Sequence, residues 1–166
     1  MKKIDVKSLQ DNVFSLIGDR WMLITAGTAE RCNTMTASWG GLGVLWGAPA
    51  ATIYLRPQRY TKEFVDREEY FTLAFFGEEQ RKALTLCGSK SGREVDKVKE
   101  CGFTVAQAEC GAPYFEEAEL VLERLDSGDA YLRWRGGRWL YDLLEIGFLQ
   151  LEMAKPDAVS VKIEKK

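Results

Sequence analysis

The chain has 166 residues, with 46% apolar and 29% charged side chains, a formal net charge of -2 and no histidine. A near-neutral balance excludes a protein built chiefly to hold nucleic-acid phosphates. The missing histidine excludes Ser-His and Cys-His nucleophiles and removes the commonest general base and metal ligand, so demanding chemistry would have to come from other side chains or a bound cofactor.

The length suits a single domain spanning residues 1–166. No apolar run approaches the roughly 20 residues of a membrane helix. The start Met1-Lys2-Lys3-Ile4-Asp5 has no apolar signal core, so a cytoplasmic location without membrane or nucleic-acid partners is expected. Cys32, Cys87, Cys101 and Cys110 stand far apart without a C-x-x-C pair, the pattern of isolated thiols and not of a disulfide framework or zinc site.

In chain order, Asp11-Asn12 followed by Val13, Phe14, Leu16 and Ile17 predicts a short capped helix ending at Gly18. Trp21 to Thr28 predicts a buried strand, and a polar turn at Ala29-Glu30-Arg31 leads into C-N-T-M-T-A-S-W-G-G-L-G-V-L-W, residues 32 to 46. That stretch has small hydroxyls, glycines and two Trp but no charge, which suits close approach of backbone and aromatic faces to a flat ligand. Its second half, Gly40 to Gly47, reads as a loop before a strand from Ala51 to Leu55.

Pro57 ends that strand, and a helix begins near Thr61, which gathers Arg56, Arg59, Tyr60 and Thr61 at the junction. Such a cluster suits an anion, or else an ordinary capped helix with solvated arginines. Tyr70 to Phe76 is strongly β-forming. Glu78 to Leu86 reads as helix, and Cys87-Gly88-Ser89-Lys90-Ser91-Gly92-Arg93 as a tight basic loop whose composition also suits phosphate. A helix from Val95 to Cys101 stops at Gly102. Strands follow at Phe103 to Val105, Ala118 to Leu125, Leu143 to Met153 and Val159 to Ile163. Many strands with short helices between them favour a mainly β barrel over an alternating βαβ sheet.

The glycine run is not a dinucleotide fingerprint. Gly41-Leu42-Gly43-Val44-Leu45-Trp46-Gly47 has the wrong spacing and leads into a strand instead of a helix. A phosphate-loop pattern is absent as well.

Three segments, N-T-M-T-A-S-W at 33–39, R-P-Q-R-Y-T at 56–61 and C-G-S-K-S-G-R at 87–93, in this order and spacing, resemble the flavin reductase-like family of FMN-binding split-barrel proteins, in particular its flavoredoxin-like branch. The similarity covers roughly residues 12 to 120. It implies a six-stranded split β-barrel with flanking helices, a homodimer and one noncovalent FMN per subunit. By the same resemblance, Asn33, Thr34, Met35, Thr36, Ala37, Ser38 and Trp39 would hold the isoalloxazine. Arg56, Arg59, Tyr60 and Thr61 would lie along the ribityl phosphate, with Ser89, Lys90, Ser91 and Arg93 completing the phosphate shell. An uncharged cradle suits a planar ring, and a dianion needs the cations.

Cys87 stands in the expected flavin-adjacent loop and is either redox active or, lacking a resolving partner, structural. Trp39 and Trp46 shield the flavin or a dimer seam, or simply pack. The C-terminal third departs from the family pattern: after Glu123-Arg124-Leu125 comes Y-L-R-W-R-G-G-R-W-L-Y-D-L-L-E-I. Arg133, Trp134, Arg135, Arg138 and Trp139 form either a nicotinamide or partner contact, or aromatic packing with solvated arginines. The expected activity is an FMN-dependent oxidoreductase. NADH, NADPH or a protein would donate electrons, and free flavin, a metal ion or a disulfide would accept them. The alternative is an FMN-binding electron carrier without turnover of its own.

Overall fold

The computed structural model describes residues 3–45, 48–126, 150–153 and 160–163. Trp46, the 133–139 cluster and the first part of the expected strand at 143–153 lie outside them.

The longest sheet follows from a run of alternating faces. Strands β1 (Lys3–Asp5), β2 (Met22–Gly27), β3 (Cys32–Ala37), β6 (Tyr70–Phe75), β9 (Leu120–Asp126) and β11 (Ser160–Ile163) pair antiparallel in the order β1-β11-β9-β6-β2-β3. Met22, Ile24, Phe71, Leu73, Phe75, Leu120 and Leu122 point into one core. Their alternating neighbours Leu23, Ala74 and Val121 belong to a second core on the other face. Both faces are therefore covered, which is why β2 and β6 read as nearly continuous apolar runs.

The first core is closed by a second sheet, β10 (Gln150–Met153), β5 (Ala48–Leu55) and β4 (Gly40–Leu45), in the order β10-β5-β4, with Ala51, Ile53 and Leu55 facing inward. On the other face lie helices α3 (Arg81–Ser89) and α4 (Lys97–Cys101) and a hairpin of β7 (Val105–Gln107) with β8 (Pro113–Phe115). Phe103 stacks 4.6 Å from Phe115 there. Buried hydroxyls find partners: Thr25 Oγ1 and Thr34 Oγ1 lie 2.9 Å apart across β2 and β3, and Thr72 Oγ1 donates to the Pro113 carbonyl.

The mainly β class with short helices is as expected, although among the described residues none of the three sheets closes on itself. Three expectations need correction. Gly40 to Leu45 is a strand paired with β5, not a loop. A side chain at Gly40, where φ is +154°, would stand 2.6 Å from the Thr52 carbonyl oxygen, so this glycine lets the chain pass closely from one sheet to the other. The first helix, α1 (Val13–Ser15), is capped by Asn12 Oδ1 as expected, but the chain continues through a wider turn at Leu16–Arg20 instead of stopping at Gly18. Helix α3 extends to Ser89, so Cys87 and Gly88 are helical and the basic loop begins at Lys90. Gly102 does stop α4, with a left-handed φ of 68°.

Candidate functional site

Among the described residues strand β3 is terminal in its sheet, with β2 as its strand neighbour. One backbone edge is therefore turned toward the helices. The Thr34 carbonyl on that edge accepts a hydrogen bond from Lys97 Nζ at 2.8 Å. Facing this edge is the C-terminal turn of α3, whose last carbonyls have no partner within the helix. Two cations take them: Lys97 Nζ donates to the Cys87 carbonyl at 2.9 Å, and Arg59 Nη1 to the Gly88 carbonyl at 2.9 Å. Positive groups belong there, since the helix dipole is negative at that end.

The region between these elements is a cavity of about 230 Å³. Met35 comes from β3. Arg56, Gln58, Arg59, Tyr60 and Thr61 come from the connection into α2 (Tyr60–Val65), Ser89, Lys90, Ser91 and Gly92 from the end of α3 and the loop after it, and Lys97 from α4. Among the described residues the lining holds four cations and no carboxylate. Because α2 is under two turns long, side chains, not a helix macrodipole, give the cavity its positive character.

Each cation is held differently. The Arg56 guanidinium lies 5.1 Å over the Trp39 ring, which is 42% exposed, and its Nε is buried without a hydrogen-bond acceptor among the described residues. Lys90 is exposed. Lys97 is only 5% exposed; burial pushes its pKa down and the neighbouring Arg59 charge adds to that. Among the described residues its two acceptors are carbonyls, which leaves one N–H of the ammonium for a ligand.

Most of the residues singled out in the sequence do converge. Arg56, Arg59, Tyr60, Thr61, Ser89, Lys90, Ser91 and Met35 share the cavity. Asn33 supports it: its Nδ2 donates to Thr61 Oγ1 at 2.8 Å, and a Cβ on Gly92 would stand 1.9 Å from its Oδ1. Asn33 and Thr34 also line an adjoining cavity of about 460 Å³, which shares Tyr60, Gly92 and Lys97 with the smaller one. Arg93 lines that larger cavity instead of the smaller. It pairs with Glu63 and lies 4.6 Å over the Tyr60 ring.

Other residues take structural positions. Ala37 is buried in the first core, and the Thr36 hydroxyl donates to the Leu84 carbonyl. Ser38 is exposed at the bend between the sheets. The Ser89 hydroxyl donates back to the Thr85 carbonyl. Cys87 is fully buried among the second core and lines neither cavity. Its thiol also has a thiol partner, with Cys101 Sγ 3.7 Å away, which corrects its reading as a lone cysteine.

Sequence reasoning missed Lys97 and Gln58. Asp96 caps α4 by accepting from the Lys99 backbone N–H, so D-K-V-K-E has the pattern of a solvated helix start, and only the fold turns Lys97 inward.

Residues 14–124 match the flavin reductase like domain family. The structure resembles flavoredoxin from Methanosarcina acetivorans at 22% identity, with a TM-score of 0.68, covering 88% of this chain and 69% of that one. It also resembles the FMN-binding protein from Thermus thermophilus with bound 1-cyclohex-2-enone, at 20% identity and a TM-score of 0.68, covering 98% and 80%. A third likeness is to the NADH:FAD oxidoreductase SgcE6 of Streptomyces globisporus C-1027, at 16% identity and a TM-score of 0.63, covering 87% and 75%. No curated protein sequence matches. Among the described residues no helix is long and apolar enough to cross a membrane. With the family match extending over two thirds of its length, this chain belongs to the flavin reductase like domain family.

Proposed function

We propose that the protein is an FMN-dependent oxidoreductase of the flavoredoxin type, acting as a homodimer whose subunits each complete a six-stranded split barrel. The observation that carries this reading is the cavity lined by Arg56, Arg59, Lys90 and Lys97 with no acidic residue among the described residues, set against the edge of β3 that faces the helices. Four cations with the hydroxyls of Tyr60, Thr61 and Ser91 suit a terminal phosphate monoester dianion, the group that distinguishes FMN from FAD. The buried Arg56 Nε, which has no acceptor among the described residues, fits a site completed by such a ligand.

In this assignment Arg56, Arg59, Lys90 and Lys97 hold the phosphate. The uncharged segment Asn33 to Trp39 lies along the ring, offering backbone N–H and C=O groups, and the Trp39 ring shields it from water. When bound, FMN supplies the hydride or electron transfer, so the protein's task is binding and orientation and the lack of histidine is no obstacle. NADH, NADPH or a reduced protein donates the electrons, and free flavin, a metal ion or a disulfide accepts them.

Purified protein incubated with FMN and desalted retains a visible flavin spectrum, and FAD competes weakly. Loss of all flavin on desalting would refute the proposal. Anaerobic mixing of the loaded protein with NADH and NADPH bleaches the flavin within the dead time or seconds after it. No bleaching with either nucleotide identifies a protein donor and an electron-carrier role.

A further inference from the structure

The two sulfurs on α3 and α4 stand apart from the flavin reading. Cys87 is on the inner face of α3 and fully buried; Cys101 is the last residue of α4 and partly exposed. Their Sγ atoms are 3.7 Å apart, in van der Waals contact, and both are free thiols. A disulfide needs about 2.05 Å, so closure asks for a shift of under 2 Å. Cys101 sits where it can move, at a helix end followed by the left-handed Gly102. The enclosed segment carries Lys90, Ser91 and Lys97, and α3 ends and α4 begins at the cationic cavity, with Ser89 and Lys97 in its lining.

We infer that Cys87 and Cys101 form a modification site, a dithiol that peroxide converts to an intramolecular disulfide clamping α3 to α4 beside the anion cavity. The partly exposed Cys101 meets the oxidant first. Its thiolate attacks one peroxide oxygen, the O–O bond breaks, and hydroxide leaves and takes up a proton, giving Cys101 sulfenic acid. The Cys87 thiolate then attacks the Cys101 sulfur, the S–O bond breaks and a second water leaves. Two thiols lose one electron each, and one peroxide is reduced to two waters.

The reaction is slow at neutral pH, because burial chiefly raises both thiols, Cys87 up to about 12, and only the thiolate attacks. Its rate rises roughly tenfold per pH unit between 7 and 9. The disulfide, once closed, is sheltered by the same burial.

The test uses the full-length chain, reduced, freed of reductant and treated with a small excess of hydrogen peroxide, followed by thiol titration in denaturant and non-reducing peptide mapping. Titratable thiols fall from the four of the reduced chain to about half, and one cross-linked peptide pair joins Cys87 to Cys101. Cys101→Ser abolishes the cross-link, whereas Cys110→Ser leaves it intact, which keeps the result readable if one variant folds poorly. Sulfinic acid at Cys101 with Cys87 still reduced, or a cross-link involving Cys32 or Cys110 in its place, would overturn the assignment. Flavin retention is measured on the same sample, so failure of the cross-link is distinguishable from failure of the flavin site.

Discussion

Lys97 Nζ on α4 and the Thr34 carbonyl on β3 are 2.8 Å apart and buried. This single bond joins the strand that carries the uncharged segment to the helix that bounds the cationic cavity. The same ammonium reaches the Cys87 carbonyl of α3, so three elements meet on one side chain.

Replacing Lys97 with Met keeps the volume of the stem and removes both donors. Two buried carbonyls lose their partner, at about 1–3 kcal/mol each, offset by relief of the ammonium's own desolvation. A net loss of about 2 kcal/mol in urea unfolding is expected, with flavin retention falling as well. Unchanged stability would mean that the two bonds contribute nothing and that water serves these carbonyls equally.

Arg56 and Arg59 are neighbours in the cavity but separate in a mutational test. Arg59 donates to the Gly88 carbonyl at the end of α3, whereas Arg56 Nε has no acceptor among the described residues. Arg56→Ala is expected to weaken FMN binding about 10- to 100-fold, the worth of a hydrogen bond to a charged group, with little change in the melting temperature. Arg59→Ala is expected to lower both. Titration of flavin fluorescence beside thermal unfolding separates them, and equal melting losses for the two variants would contradict the division.

Much of this site was legible from local chemistry, because the cations at 56, 59 and 90 and the hydroxyls at 61, 89 and 91 cluster in short segments whose composition is itself the signal. What was hidden depends on distant partners. Gly40 to Leu45 contains too many glycines to read as a strand, and its pairing with β5 is a tertiary fact. Lys97 follows an N-cap Asp in a charged pentapeptide, and nothing in that spacing says which residue turns inward. Cys87 and Cys101 are on different helices, so their contact depends on how α3 meets α4. Positions 33, 35 and 37 illustrate the middle case. Alternation puts all three side chains on one face of β3. Ala37 and Met35 join the core there, and only Asn33 turns its amide to Thr61.

Gly92 is where space, not backbone conformation, demands glycine. A Cβ there would fall 1.9 Å from Asn33 Oδ1 and 3.1 Å from the Tyr60 ring. Gly92→Ala is expected to break the Asn33–Thr61 hydrogen bond and cost about 1–3 kcal/mol. Gly18→Ala, where nothing lies within 4 Å, is the comparison and should change stability little. Equal unfolding midpoints for the two variants would show that the 90–93 loop gives way without strain.

The buried thiols set the alkaline limit of stability. Burial raises Cys87 from 9.0 to about 12, and burial with the nearby Asp96 raises Cys32 from 9.0 to about 11. Between pH 9 and those values the folded chain keeps protons that the unfolded chain releases, so stability falls as pH rises, by up to about 1.4 kcal/mol per pH unit per thiol. Lys97 works in the opposite direction. Its folded pKa is lowered from 10.5, so the unfolded chain binds the extra proton below 10.5, and this group's contribution improves as pH rises toward that value. The two thiols therefore dominate most clearly above pH 10.5. In a reducing buffer, Cys87→Ser should gain on the parent chain by about 1 kcal/mol per pH unit above pH 9, read from urea midpoints at successive pH values. Parallel curves for the two proteins would show that Cys87 ionises as readily in the folded chain as in the unfolded one.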